Sequence, residues 1–126
     1  MAKILLVEDD QILVHMYQNL LQNHGYDVTV AGDGEEGLKH ALGDHPDLIL
    51  LDIRMPKMDG MTMLKKLRQD SWGKTTKVII LTNLDTTDNV LQGVIEDHPA
   101  YYLIKTNNPP EKVLEKIQEI LDTGKE

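Results

Sequence analysis

Short, uninterrupted apolar runs recur along the chain at Ile4 to Val7, Val28 to Val30, Leu48 to Leu51, Val78 to Leu81 and Tyr101 to Ile104. Runs this short, rich in valine, isoleucine and leucine, suit strands buried on both faces, so five strands are predicted. Between them lie longer stretches with apolar residues at three- and four-residue intervals: Gln11 to His24, Glu35 to Leu42, Met61 to Gln69, Asp85 to Glu96 and Pro110 to Asp122. These predict five helices. The last is the clearest: Val113, Leu114, Ile117, Ile120 and Leu121 form one apolar stripe, while Glu111, Lys112, Glu115, Lys116 and Glu119 fall on the other side. Pro110 suits its first turn, where a missing amide hydrogen costs nothing.

Alternating strands and helices imply an α/β fold in which a parallel sheet is covered on both faces, because a parallel pairing needs a crossover and a helix supplies it. Strands one, three and four are expected at the centre. With 126 residues and 40% apolar content, one domain with one core is expected. It is assigned to residues 1–122, with 123–126 as a tail. Apolar runs of four residues are far short of the roughly 20 a membrane-spanning helix needs. The N-terminus enters a strand directly, without the features of a signal peptide, so the expected compartment is the cytoplasm. The chain has no cysteine, which excludes disulfides, thiolate metal sites and cysteine nucleophiles. A net charge of −8 disfavours nucleic acid and favours cations, leaving proteins as the expected partners.

In open parallel sheets ligands sit beyond the carboxyl ends of the strands. There the chain places Glu8, Asp9 and Asp10 after strand one, Asp52 after strand three, Thr82 at the end of strand four and Lys105 after strand five. Crowded carboxylates repel unless a cation neutralises them. Oxygen donors without cysteine or a nearby histidine point to a hard ion, Mg²⁺ or Mn²⁺. Capping the first helix is the competing role for the first three acids; it is the expected one for Asp10, whereas Glu8 and Asp9 read as metal ligands with Asp52. A carboxylate nucleophile, a divalent ion, a hydroxyl and an ammonium group together suit phosphoryl transfer, which needs alignment and charge neutralisation. Asp52 would attack phosphorus, Thr82 would donate to a phosphoryl oxygen and Lys105 would balance charge.

These segments resemble the receiver domains of two-component response regulators along nearly the whole chain. The resemblance rests on Ile4-Leu5-Leu6-Val7-Glu8-Asp9-Asp10, on Leu50-Leu51-Asp52-Ile53-Arg54-Met55-Pro56 with Asp59-Gly60, on Ile79-Ile80-Leu81-Thr82 and on Tyr102-Leu103-Ile104-Lys105. It implies a flavodoxin-like doubly wound sheet of order 2-1-3-4-5. It also implies that Asp52 accepts a phosphoryl group from a sensor histidine kinase or a histidine phosphotransfer protein, with the backbone carbonyl of Arg54 as a further metal ligand. Thr82 and Tyr102 would then switch the face built from the fourth helix, fifth strand and fifth helix, toward a downstream protein target or a homodimer. Such a domain catalyses only its own phosphorylation and dephosphorylation.

The chain departs from the family pattern at Thr106, where proline usually follows the lysine, and at Asn83, where a small residue is usual. A receiver-like interaction scaffold that is never phosphorylated is therefore the alternative. Two enzyme readings fail on residues. Gly32-Asp33-Gly34-Glu35-Glu36-Gly37 matches a dinucleotide fingerprint, but its acids would face the pyrophosphate, so a turn into the second helix is expected. A phosphatase with an aspartate nucleophile is expected to carry a second aspartate where this chain has Arg54. The histidines show no ligand spacing and are expected to be solvated, and Met55, Met58, Met61 and Met63 to serve packing. Trp72, between the third helix and fourth strand, is expected to report poorly on the site.

Overall fold

The computed structural model describes residues 2–52, 58, 60–82, 101–104 and 109–123, with the backbone alone described at 82, 101–104, 122 and 123. The strands are β1 (Lys3–Val7), β2 (Asp27–Ala31), β3 (Leu48–Leu51), β4 (Val78–Thr82) and β5 (Tyr101–Ile104). The helices are α1 (Gln11–Asn23), α2 (Gly34–Asp44), α3 (Gly60–Gln69) and a C-terminal helix (Pro110–Thr123). The helix predicted over 85–96 lies outside the described residues. All pairings are parallel, in the order β2-β1-β3-β4-β5, so β1, β3 and β4 occupy the interior of the sheet.

The uninterrupted apolar strands divide between two faces because successive side chains point to opposite sides of a sheet. Leu5, Val7, Ile49, Leu51, Val78 and Ile80 meet Ala41 of α2 and Met63, Leu64 and Leu67 of α3 in one core. Ile4, Leu6, Leu48, Leu50, Ile79 and Leu81 meet Tyr17 and Leu21 of α1 and the stripe Val113, Leu114, Ile117, Ile120 and Leu121 in the other. The single core expected from the sequence is thus two half-cores, one on each side of the sheet. Burial at every position of β1 from Ile4 to Val7 and throughout β3 is what makes their sequences unbroken apolar runs. Edge strand β2, by contrast, buries only Ala31 fully.

Local chemistry sets the helix ends. Asp10 is the N-cap of α1, its carboxylate accepting the amides of Ile12 (2.9 Å) and Leu13 (3.4 Å). Asp33 caps α2 in the same way through Glu36 (2.8 Å). Past α1 the chain reverses at Gly25, whose φ of +88° lies in the left-handed region that glycine enters without steric cost. Gly37 of α2 sits where a Cβ would lie 3.0 Å from both Val7 methyls and from Met63 Sδ, so its missing side chain lets α2 close on β1. The glycine-rich run is therefore a capped turn and a packing contact, as its sequence suggests.

Candidate phosphoacceptor pocket

The register brings the acids together. Val7 pairs with Leu51 across β1 and β3 and with Ala31 across β1 and β2. The ladder runs one residue further on each side, with Asp52 donating its amide to Val7 O (3.0 Å) and Glu8 to Ala31 O (3.0 Å). The strand ends therefore deliver Glu8 and Asp52 to the same rim of the sheet. Glu8 is 3% and Asp52 8% exposed, while Asp9 faces solvent.

One carboxylate oxygen from each of Glu8, Asp9 and Asp52 lies within 4.8 Å of the others. Two oxygens each about 2.1 Å from one small ion are at most about 4.2 Å apart, so the set fits a hard divalent cation with a small adjustment or one ligand held through water. The donors are all carboxylates, two of them buried, and their mutual repulsion gives a cation a reason to bind. Asp10 points elsewhere, into its cap. Its role is the capping one that the sequence favours.

Other predicted residues are placed by backbone or not at all. Thr82 ends β4 two residues beyond Ile80, the partner of Leu51, and is itself paired with Ile104 of β5. Its backbone thus reaches the rim that carries Asp52. Tyr102 lies within β5, paired with Ile80. Arg54, Lys105, Asn83 and Thr106 fall outside the described residues. The carbonyl of Met58 accepts the amide of Gly34 at the start of α2 (2.9 Å).

Tyr17 is a neighbour that the linear pattern does not mark as part of the site. It is 3% exposed on the inner face of α1. Burial, then the carboxylates of Glu8 and Glu111, push its phenol up from 10.0 to about 12. Its spacing from Val14 and Leu21, three and four residues away, marks a core position, but nothing in the linear sequence announces the field of Glu8. His15, His24 and His45 are exposed, as expected, and His98 falls outside the described residues; His24 Nδ1 lies 2.9 Å from Leu20 O, and the half-buried His40 sits between Glu36 (3.7 Å) and Asp44 (3.4 Å) on α2. His45 stacks on Trp72 with ring centroids 4.2 Å apart. Met63 is buried, and Met58 and Met61 pack against the same core, which is the packing role expected of them.

A family model for the response regulator receiver domain matches residues 4–118. The alkaline phosphatase synthesis transcriptional regulatory protein PhoP of Bacillus subtilis is 51% identical over 67 residues, 53% of this chain and 28% of that protein. The chain spans less than half the length of the curated relatives it matches. Among solved structures, a CheY-like response regulator receiver domain protein from Methanospirillum hungatei matches with a TM-score of 0.88 at 28% identity, covering 98% of this chain and 95% of that one. The receiver domain of a sensor histidine kinase from Pseudomonas aeruginosa matches with a TM-score of 0.86 at 26% identity, covering 96% and 98%; that structure has a magnesium ion coordinated in its active site cleft. No helix among the described residues is long and apolar enough to cross a membrane. The strand order, the acidic rim and these likenesses agree, and the chain belongs to the response regulator receiver domain family of two-component signalling.

Proposed function

We propose that residues 1–122 form a phosphoryl-accepting switch in which Asp52 is the acceptor and Glu8 and Asp9 serve a divalent cation, Mg²⁺ in preference to Mn²⁺. The observation that carries this reading is the convergence of three carboxylates at the ends of β1 and β3, two of them buried. Buried like charges are costly unless compensated, and phosphoryl transfer is the chemistry that uses such a compensated site. A cation held by Glu8, Asp9 and Asp52 would supply positive charge to offset the carboxylates and the incoming phosphoryl group.

A carboxylate oxygen of Asp52 attacks phosphorus, and the P–N bond to the donor histidine breaks. The bonding electrons return to the imidazole, which takes up a proton, and an acyl phosphate is left on Asp52. Thr82 would donate its hydroxyl hydrogen to a phosphoryl oxygen, Lys105 would offset the added negative charge and the Arg54 carbonyl would be a further ligand of the cation. Movement of Thr82 and Tyr102 then shifts a pre-existing equilibrium of the face around β5 and the C-terminal helix. The partners are a sensor histidine kinase or histidine phosphotransfer protein upstream and a protein target downstream. The domain turns over no substrate but its own phosphoryl group.

Intact mass after incubation with acetyl phosphate and Mg²⁺ tests this. The native chain should gain about 80 Da, one phosphoryl group, and should gain nothing after chelation or in the Asp52→Asn variant. A native chain that stays unmodified with acetyl phosphate and with the smaller donor phosphoramidate would instead be a receiver-like scaffold.

A further inference from the structure

The side chain of Glu8 is bonded to the turn that follows it. Its Oε2 accepts the backbone amide of Asp9 (3.1 Å) and that of Asp10 (3.2 Å). The carboxylate thus curls back over the turn that follows it. That turn carries Asp9, the exposed acid of the pocket, and Asp10, whose own carboxylate starts α1. A carboxylate that accepts two amides from the residues just after it fixes the backbone between them, and with it the direction in which Asp9 leaves the chain. Charge-assisted bonds of this kind are stronger than neutral ones, and at 3% exposure water competes weakly for them.

Length is what makes this possible. Glutamate has one methylene more than aspartate, and that extra bond lets Glu8 reach the amide of the very next residue as well as the one after it, whereas the aspartates Asp10 and Asp70 hold amides two and three residues on. Aspartate at the same position would carry the same charge on a shorter arm. Glutamine would keep the length and an accepting oxygen while losing the charge. The three carboxylate oxygens lie within 4.8 Å of one another, against the about 4.2 Å that limits two direct ligands of one small ion, so the set accommodates one member acting indirectly.

We infer that Glu8 is a positioning residue of the cation pocket: by holding the Asp9 and Asp10 amides it places the Asp9 carboxylate, and the pocket depends on its reach more than on its charge. This rests on the reading of the pocket as a cation site. The inference predicts an inversion of the usual order of conservative changes, since Glu8→Asp preserves charge and Glu8→Gln preserves geometry.

The test titrates Mg²⁺ into the native chain, Glu8→Asp, Glu8→Gln and Asp9→Asn by calorimetry, and follows exchange of the Asp9 and Asp10 amides by NMR without metal. Glu8→Asp should weaken Mg²⁺ binding by about tenfold or more, the usual scale for losing a residue that orients a ligand, and should expose the Asp9 amide to exchange. Glu8→Gln should protect that amide better and bind Mg²⁺ more tightly than Glu8→Asp. If Glu8→Asp binds as well as or better than Glu8→Gln, the inference is overturned and Glu8 acts through its charge. If the native chain binds no Mg²⁺ at all, the reading of the pocket itself falls, a failure distinct from a wrong ranking of variants.

Discussion

At the scale of single residues, the buried phenol of Tyr17 gives the site an electrostatic neighbour with a measurable signature. Its pKa rises from 10.0 to about 12, so the folded chain holds this proton more tightly than the unfolded chain does. The resulting stabilisation is complete below pH 10 and fades as pH climbs toward 12. A gap of about two pH units corresponds to roughly 2 to 3 kcal/mol. Chemical denaturation across that window should show the native chain losing this much more stability than Tyr17→Phe; parallel losses in the two proteins would mean that the phenol titrates normally. Asp52 offers a second check. Removing its charge with Asp52→Asn relieves repulsion from Glu8 and Asp9, so in chelator the variant should melt above the native chain. The second effect depends on carboxylates that strand register brings side by side, whereas the first comes from burial before charge. The acids themselves are plain in the sequence, since each ends an apolar run, but the back-bonding of Glu8 and the proximity of Tyr17 are not. They depend on how α1 packs over the end of β1.

At the scale of the elements, caps decide where helices begin. Asp10 is committed to the amides of Ile12 and Leu13, and Asp10→Ala should cost about 1 kcal/mol. The expected outcome is a lower urea midpoint with an unchanged slope; an unaltered midpoint would mean that relief from the adjacent Asp9 charge offsets the lost cap. The same capping explains the small differences between predicted and observed boundaries. Helix α2 is expected over Glu35 to Leu42 from its apolar spacing, yet it runs from Gly34 to Asp44. Asp33 caps the start, and the end is set by His45, which adopts a left-handed conformation with φ of 49°. Gly43 and Asp44 carry no apolar signal, so periodicity alone stops short of them. Strands were more legible: β3 and β5 match their predicted bounds, and β1, β2 and β4 extend by a single residue at one or both ends. An apolar run buried on both faces declares its own limits, whereas a half-buried helix does not.

At the scale of the whole molecule, the pocket joins the two half-cores through β1 and β3, so filling it should be felt throughout the domain. A ligand bound only by the folded state adds stability in proportion to the logarithm of its concentration. At a hundredfold excess over Kd that is about 2.7 kcal/mol, or roughly 10 °C in Tm for a chain of this size. Mg²⁺ should raise the melting temperature of the native chain by this order, and Asp52→Asn should lose most of the increment. An equal rise in both proteins would place the binding elsewhere. The layering of the described elements was legible because alternation of strand and helix leaves a parallel sheet few other arrangements, while the strand order came from the family resemblance. The two-sided division of the core was not legible, since an unbroken run such as Leu48 to Leu51 conceals which residue faces which layer.

The stacking of Trp72 on His45 has an optical meaning. Both rings stand just before the start of a strand, His45 ahead of β3 and Trp72 ahead of β4, at the pole of the sheet opposite Asp52. Trp72 is the only indole in the chain, so all tryptophan emission arises at this pole. The stack fixes the surroundings of this indole in the folded chain. Fluorescence should therefore follow the parting of these two loops on unfolding, and it should stay constant on addition of a phosphodonor whose target lies at the far end.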